Sequence, residues 1–224
     1  MPTPRSAAEL VTPRLVVGLG NPGDRYAGTR HNAGFQVVDR ILEKLRRADA
    51  KPEHQYDCHF HTLRHAGRPL VLAKPLTFMN LSGEAVAKLV RGLEVTPAEL
   101  LVVADFLDLP LGRLRMRANG GAGGHRGVES VIAELGTDAF PRLWVGVGHP
   151  GGRGGAVVDH VLSTWDPQEH DAAGRALEAA AEAVLMAVRH GVAATMNRWN
   201  GWQAEADVLS EQGTREGETN RENL

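Results

Sequence analysis

With 224 residues, 42% of them hydrophobic and 23% charged, the chain is sized for one well-cored soluble domain and little more. No apolar run approaches the ~18–20 residues of a membrane span, Met1–Pro13 lacks the apolar stretch of a secretory signal, and the lone Cys58 excludes an internal disulfide, so a cytoplasmic protein is expected. The formal net charge of −2 speaks against nucleic acid, yet Leu109–Val128 holds Arg113, Arg115, Arg117 and Arg126 and no acid, a basic patch masked in the total by the acids of the tail Ala204–Leu224.

Taken in chain order, the pattern alternates strand and helix. Residues 1–13 are expected to be disordered. Leu15–Leu19 is a short buried strand feeding Gly18-Leu19-Gly20-Asn21-Pro22-Gly23, which fits the dinucleotide pattern G-x-G-x-x-G. Pro22 and the polar stretch Asp24–Arg30 separate these glycines from the next helix, and the acid at about the right distance, Glu43, falls inside that helix. A nucleotide-dependent oxidoreductase is therefore disfavoured. Asn32–Arg47 reads as a helix, with Phe35, Val38, Leu42 and Leu45 at helical spacing. Tyr56–Leu63 and Pro69–Ala73 read as strands joined by a turn at Ala66-Gly67. Leu81–Leu93 is a second helix, Leu100–Ala104 a buried strand, and Arg113–Arg117 a half-exposed strand in which arginines alternate with Leu114 and Met116. Gly127–Leu135 is a short helix and Leu143–Val147 a strand. Gly148–Gly155 is a glycine-rich loop long enough to move, and Asp166-Pro167 reads as the N-cap and N1 pair of an Ala-rich helix reaching about His190. The tail 204–224, rich in Glu, Gly, Asn and Thr, is expected to be disordered. The expected fold is a single α/β domain over residues 14–203, a mixed, mostly parallel twisted sheet flanked by helices.

Three segments carry candidate chemistry. His31 follows the end of the first strand and is the side chain in its loop whose ordinary pKa suits a general base; its bland alternative is a helix-start histidine facing water. Such a base needs an orienting carboxylate, and Asp105, at the end of Leu100–Ala104, is the candidate. In Lys74–Glu84, Asn80 or Ser82 could simply cap a helix; alternatively the Asn80 amide positions a water or donates to an oxyanion, with Phe78 and Met79 as exposed apolar contacts beside the site. Asn119–Gly127 is a glycine loop leading to His125 and Arg126, suited to phosphates at a helix start, or else a plain connector. Cys58-His59-Phe60-His61 lacks further well-spaced ligands, and neither a G-x-S-x-G elbow nor a P-loop is present, so neither a metal nor another cofactor is expected.

Five blocks, in order, resemble the bacterial peptidyl-tRNA hydrolase family: GLGNPG-x2-Y-x2-TRHN-x-GF (Gly18–Phe35), KPLTFMNLSGEAV (Lys74–Val86), D-x2-DLPLGR-x-R (Asp105–Arg115), GG-x-GGHRGVES (Gly120–Ser130) and F-P-R-L-x-V-G-V-G-x-P (Phe140–Pro150). The resemblance implies a monomeric, metal-free α/β enzyme of the phosphorylase/hydrolase-type fold. Its reaction would be cleavage of the ester between a peptide and the 3′-terminal ribose of tRNA, recycling tRNA from prematurely released peptidyl-tRNA. By position, His31 matches the catalytic histidine, Asp105 the carboxylate that orients it, and Asn21 and Asn80 the asparagines that hold substrate and water. Tyr26 and Phe78 match residues around the terminal adenosine and peptide, His125 the histidine of the glycine block, and Gly148–Gly155 a mobile lid. Three positions depart from the family pattern: Arg126 stands for the usual Asn, Phe106 for Glu, and Trp144 for a basic residue whose partner, Arg117, is retained. The expected reaction is a water activated by His31. Arg113, Arg115, Arg117 and Arg126, with Lys88 and Arg91 adjacent, are expected to face the tRNA backbone. A non-catalytic RNA-binding protein of the same fold is the alternative that Arg126 and Trp144 favour.

Overall fold

The computed structural model describes residues 12–151 and 154–204. Seven strands, β1 (Leu15–Gly18), β2 (Glu53–Gln55), β3 (Cys58–His65), β4 (Arg68–Pro75), β5 (Leu100–Phe106), β6 (Leu114–Arg117) and β7 (Arg142–Gly146), form one sheet in the order β2-β3-β4-β1-β5-β7-β6. Pairs β4/β1, β1/β5 and β5/β7 are parallel; the outer pairs β2/β3, β3/β4 and β6/β7 are antiparallel. Helices α1 (Ala33–Lys44), α2 (Ser82–Gly92), α3 (Arg126–Leu135), α4 (Gly155–Leu162), α5 (His170–His190) and α6 (Val192–Trp199) complete the fold.

The period-two alternation of the strands builds two apolar layers. Val16, Leu101 and Val103 face one side, where α1, α5 and α6 supply Val37, Ile41, Ala180, Val184 and Val192. Leu15, Val17, Leu100 and Val102 face the other, where α2 and α3 supply Val86, Leu89, Val128 and Val131. The alanines of α5, among them Ala176, Ala180, Ala183 and Ala187, are buried and let that helix lie close to its layer. Because the chain leaves β1 for α1 on one face and leads from β5 to α3 on the other, the C-terminal ends of these adjacent parallel strands open a crevice, the usual ligand position in such sheets.

The structure corrects several element boundaries. Arg30–Asn32 forms a 3-10 turn and α1 starts at Ala33, while Arg46 in the left-handed region (φ 55°) lies just beyond its end at Lys44. Phe35 is only half-buried, its ring lying over the Gly20 backbone with Lys74 Nζ 5.4 Å from the ring centre. Tyr56 and Asp57 both have positive φ (59° and 54°) and make the turn between β2 and β3, so the expected strand begins at Cys58. Asp166 does not cap α5, which begins at His170: its carboxylate accepts from Arg30 at 3.3 Å and its N–H donates to Glu169 Oε2 at 3.0 Å. Helices α4 and α6 go beyond the expected elements. The two expected disordered ends fall largely outside the described residues, as do Gly152 and Arg153 of the expected lid. At their inner limits Pro13 is buried, and Ala204 is buried with its N–H donating to Gly112 O at 2.9 Å.

Candidate active site

The site begins with two glycines. A Cβ on Gly34 would lie 2.3 Å from Val103 O and 2.4 Å from Leu19 N, and one on Gly18 would lie 2.2 Å from Gly34 O. Without side chains at both positions, the first turn of α1 sits directly on the ends of β1 and β5. That contact brings the turn carrying His31 over Asp105, the sixth residue of β5.

Asp105 is buried and is the acceptor for two histidines. His31 Nδ1 lies 2.9 and 3.1 Å from its two oxygens, and His125 Nε2 lies 3.0 Å from Oδ1. The tautomers follow from the partners. The Val128 N–H donates to His125 Nδ1 at 3.2 Å, so that nitrogen is an acceptor and Nε2 carries the proton given to Asp105. An ionised Asp105 offers acceptors only, so His31 donates from Nδ1, which leaves Nε2 as the potential base. Burial pushes the Asp105 carboxyl up, but the charges and hydrogen bonds of His31 and His125 outweigh it and hold the group well below the usual carboxylate range. For His31, burial pulls the proton affinity down and Arg126 pulls it down further; the charge and hydrogen bond of Asp105 outweigh both, and its pKa is raised. The ligand atoms of His31, Asp105 and His125 lie within 4.8 Å of one another, a grouping able to hold a metal ion. Both ring nitrogens that face Asp105 lie at hydrogen-bond distance from it, the geometry of a base, its orienter and a second donor.

Beside this group, the Asn21 loop is locked from two sides. Asn32 Oδ1 accepts from Asn21 N at 2.8 Å and Asn32 Nδ2 donates to Asn21 O at 3.0 Å. Asn21 Oδ1 accepts from Met79 N at 2.8 Å. The main-chain N–H groups of Asn21 and Met79 are thereby both engaged within the protein, and Asn21 lines the cleft. Met79 itself is buried, 4% exposed, against the expectation of an exposed contact: its sulfur fills the space over Gly127. Phe78 stands out at 52% exposure and Asn80 is exposed, so neither Asn80 nor the buried Ser82 is a side-chain cap of α2.

A cleft of about 370 Å³ is lined by Asn21, His31, Phe78, Met79, Asn80 and Asp105. Phe106, Leu107, Gly123, Gly124, His125 and Arg126 line it too, and Val157, Val158, Val161 and Leu162 of α4 give it an apolar wall. Phe78, Val158 and Leu162 are among the few large apolar side chains exposed in the described residues. The α4 wall and the Asn32 clamp escaped the sequence reading; Asn32 carried a signal in standing next to His31.

The basic residues divide. Arg126, exposed at the start of α3, lines the cleft, whereas Arg115 and Arg117 on the edge strand β6, and Arg113 just before it, lie outside it. Arg113 Nη1 donates to Gln203 Oε1 at 3.1 Å. Lys88 is paired with Asp57 at 2.5 Å. Tyr26, covered by Arg25 at 4.5 Å from its ring centre, is half-buried and does not line the cleft. Trp144 is buried beneath Phe106, with ring centres 4.6 Å apart, and beside His125 at 5.9 Å. It therefore supports the glycine loop and offers no surface to an RNA. Arg142, also buried, donates to the carbonyls of Gly120, Gly121, Asp138 and Phe140 and so fixes the start of the same loop.

Comparison with known proteins matches this architecture throughout. The family model described as peptidyl-tRNA hydrolase matches residues 15–207. The peptidyl-tRNA hydrolase of Symbiobacterium thermophilum is 48% identical over 189 residues, which are 84% of this chain and 98% of that protein. That of Aquifex aeolicus is 43% identical over 175 residues, 78% of this chain and 90% of its own. The crystal structure of peptidyl-tRNA hydrolase from Acinetobacter baumannii gives a TM-score of 0.79 at 33% identity, covering 85% of this chain and 96% of that one.

Proposed function

The chain belongs to the peptidyl-tRNA hydrolase family, and from that premise we propose how its own residues cleave the ester bond of peptidyl-tRNA. His31 Nε2 takes a proton from a water molecule as that water attacks the acyl carbonyl. Asp105, hydrogen-bonded to Nδ1, stabilises the imidazolium that forms. The proton then passes to the 3′-oxygen of the departing ribose. Asn21, its Oδ1 held by Met79 N–H, presents its amide nitrogen to the carbonyl oxygen as charge develops there, and Asn80 holds the attacking water. His125 donates to Asp105 and lines the cleft beside Arg126, which faces the acceptor end. The observation that carries this reading is the His31–Asp105 pair at 2.9 Å, with the other ring nitrogen left for the cleft.

The remaining assignments rest on position. Phe78 contacts the peptide, and Met79 acts from beneath through its backbone. Arg113, Arg115 and Arg117 meet the tRNA backbone away from the chemistry, and Tyr26 stands with them outside the cleft. These contacts make binding salt-dependent. Residues 14–203 form the catalytic unit, working as a monomer in the cytoplasm. No helix among the described residues is long and apolar enough to cross a membrane. The test is hydrolysis of an N-acetylated aminoacyl-tRNA, with EDTA present, by the wild type and by His31→Ala. Turnover by the wild type that the variant lacks is expected. Equal turnover by both would remove His31 from the mechanism, and turnover abolished by EDTA and restored by a metal would replace the metal-free scheme.

A further inference from the structure

Arg30, immediately before His31, is 2% exposed at its side chain, yet it carries a full charge and reaches a segment more than 130 residues away. Its Nη1 donates to Ser163 Oγ, to Thr164 O at 2.6 Å and to His160 O at 3.4 Å. Its Nη2 meets Glu169 Oε2 and, at 3.3 Å, Asp166 Oδ2. The guanidinium carbon lies 5.4 Å from the ring centre of Trp165. The backbone repeats the connection: Arg30 N donates to Ser163 O at 3.0 Å, and Thr29 and Thr164 form an isolated antiparallel bridge. One buried fork therefore fastens the turn of His31 to the end of α4 and to the connection beyond it.

Few other contacts locate α4. Val158 and Leu162 are exposed, and Val161 is the one buried residue of the helix. On the side of β7 the His160 ring lies 3.1 Å from Val147 O and 3.2 Å from Gly148 O. A helix with so little buried surface holds its position through such polar ties. Its apolar residues line the same cleft as Phe78 and His31.

We propose that Arg30 is a positioning residue that sets the α4 wall at a fixed distance from His31, so that Val157, Val158 and Leu162, with Phe78, grip the side chain of the residue esterified to tRNA. The inference rests on the hydrolase reading and adds to it a preference for apolar over absent side chains at that residue. An apolar group entering a preformed apolar wall favours the transition state only while the wall is fixed relative to the attacking water. Arg30→Lys keeps the charge but cannot reach two acceptor sets at once, because an ammonium lacks the planar fork.

The test has two readouts. Hydrogen exchange of the amides of residues 155–162 is compared in wild type and Arg30→Lys without substrate; faster exchange confined to α4 and its connection is expected. Unchanged exchange overturns the anchoring whatever the enzymatic result. Steady-state hydrolysis of N-acetyl-leucyl-tRNA and N-acetyl-glycyl-tRNA is then compared. The wild type is expected to favour the leucyl substrate in kcat/KM by about tenfold. Arg30→Lys and Val158→Ser, the second a change in the wall that leaves the fork intact, are expected to lose that preference, the leucyl kcat/KM falling toward the glycyl value. An equal loss on both substrates, or an undiminished preference in either variant, overturns the role in selection. Absence of hydrolysis by the wild type would sink the hydrolase reading itself, with the exchange result still deciding whether Arg30 anchors α4.

Discussion

Two buried arginines hold the two halves of this site, and they do so with different acceptors. Arg30 binds the half that carries His31: it meets two carboxylates, a hydroxyl and two carbonyls on a segment that is largely exposed. Arg142 binds the half that carries His125, and every acceptor assigned to it is a main-chain carbonyl. Burial lowers its proton affinity, with Asp138 the charge that opposes the effect. A buried charge costs several kcal/mol unless it is satisfied. Arg142 is met by the carbonyl dipoles of a glycine loop that curls around it, while Arg30 is met by carboxylates and carbonyls of a partly exposed segment. The difference teaches that the tie behind His125 is wholly interior, whereas the tie behind His31 joins a turn seated on the strand ends to an outer helix. The two histidines on one carboxylate are accordingly held unequally.

That inequality is sharpest in catalysis. His125 has both ring nitrogens engaged, to Asp105 and to Val128, whereas His31 has one nitrogen for the cleft. His31→Ala is expected to lower kcat by about 10²–10⁴-fold, the usual share of a positioned base. His125→Ala should cost on the order of tenfold, together with about 1 kcal/mol of stability from the lost cap on α3. Single-turnover rates and thermal melts on both proteins check this, and equal rate losses would break the distinction drawn between the two halves.

Asp105→Asn comes next, with an expected rate loss of about 10²-fold or more as the charge behind His31 disappears. The direction of its pH effect follows from the structure. Asp105 raises the His31 pKa, and the base works when deprotonated, so wild-type activity rises with pH through a value raised from the ordinary histidine pKa. Without the carboxylate, burial and Arg126 are left to act, and the acid limb of the pH–rate profile moves to lower pH. An acid limb unmoved by the substitution would assign it to another group.

Much of this arrangement was legible in the sequence, and the exceptions have physical causes. The strand ends and the amphipathic stripes of α1, α2 and α3 show as periodicity because each buries one face. His31 and Asp105 stand at strand ends, where chemistry collects. Met79 misled because an apolar residue beside a polar motif reads as exposed, while here it fills the space that Gly127 leaves open. Asp166-Pro167 misled because a capping residue and an ion-pair partner share one side chain, and Arg30, distant in sequence, claims it. The α4 wall escaped because its apolar residues face a cleft and leave no core-facing stripe. Trp144 reads as a departure at an RNA surface and Phe106 as a change of little effect beside Asp105; stacked beneath the glycine loop, they support His125 from within.

Arg142→Met tests the interior half of the comparison. It would leave the carbonyls of Gly120, Gly121, Asp138 and Phe140 without their donor, and a loss of about 3 kcal/mol of unfolding free energy is expected. Denaturant titration measures it, and near-neutral stability would show that water takes over those acceptors.

The smallest expected effect concerns Arg126, which touches both halves: it begins the helix that His125 caps and its charge reaches His31. Its removal in Arg126→Ala takes away a charge that lowers the His31 pKa, so the acid limb should move to higher pH, opposite in sign to Asp105→Asn. At neutral pH the rate change through His31 is expected to stay within about threefold, because Arg126 is exposed and screened by solvent. Salt separates the two influences further. Raising the ionic strength screens Arg126 and leaves the buried Asp105 contact nearly untouched, so wild-type enzyme at high salt should shift toward the Arg126→Ala profile. The variant itself should be far less sensitive to salt in this respect. A wild-type limb moving toward lower pH with salt would mean that Asp105, not Arg126, is the partner open to solvent, and the contrast between a fixed interior and a tied exterior would have to be reversed.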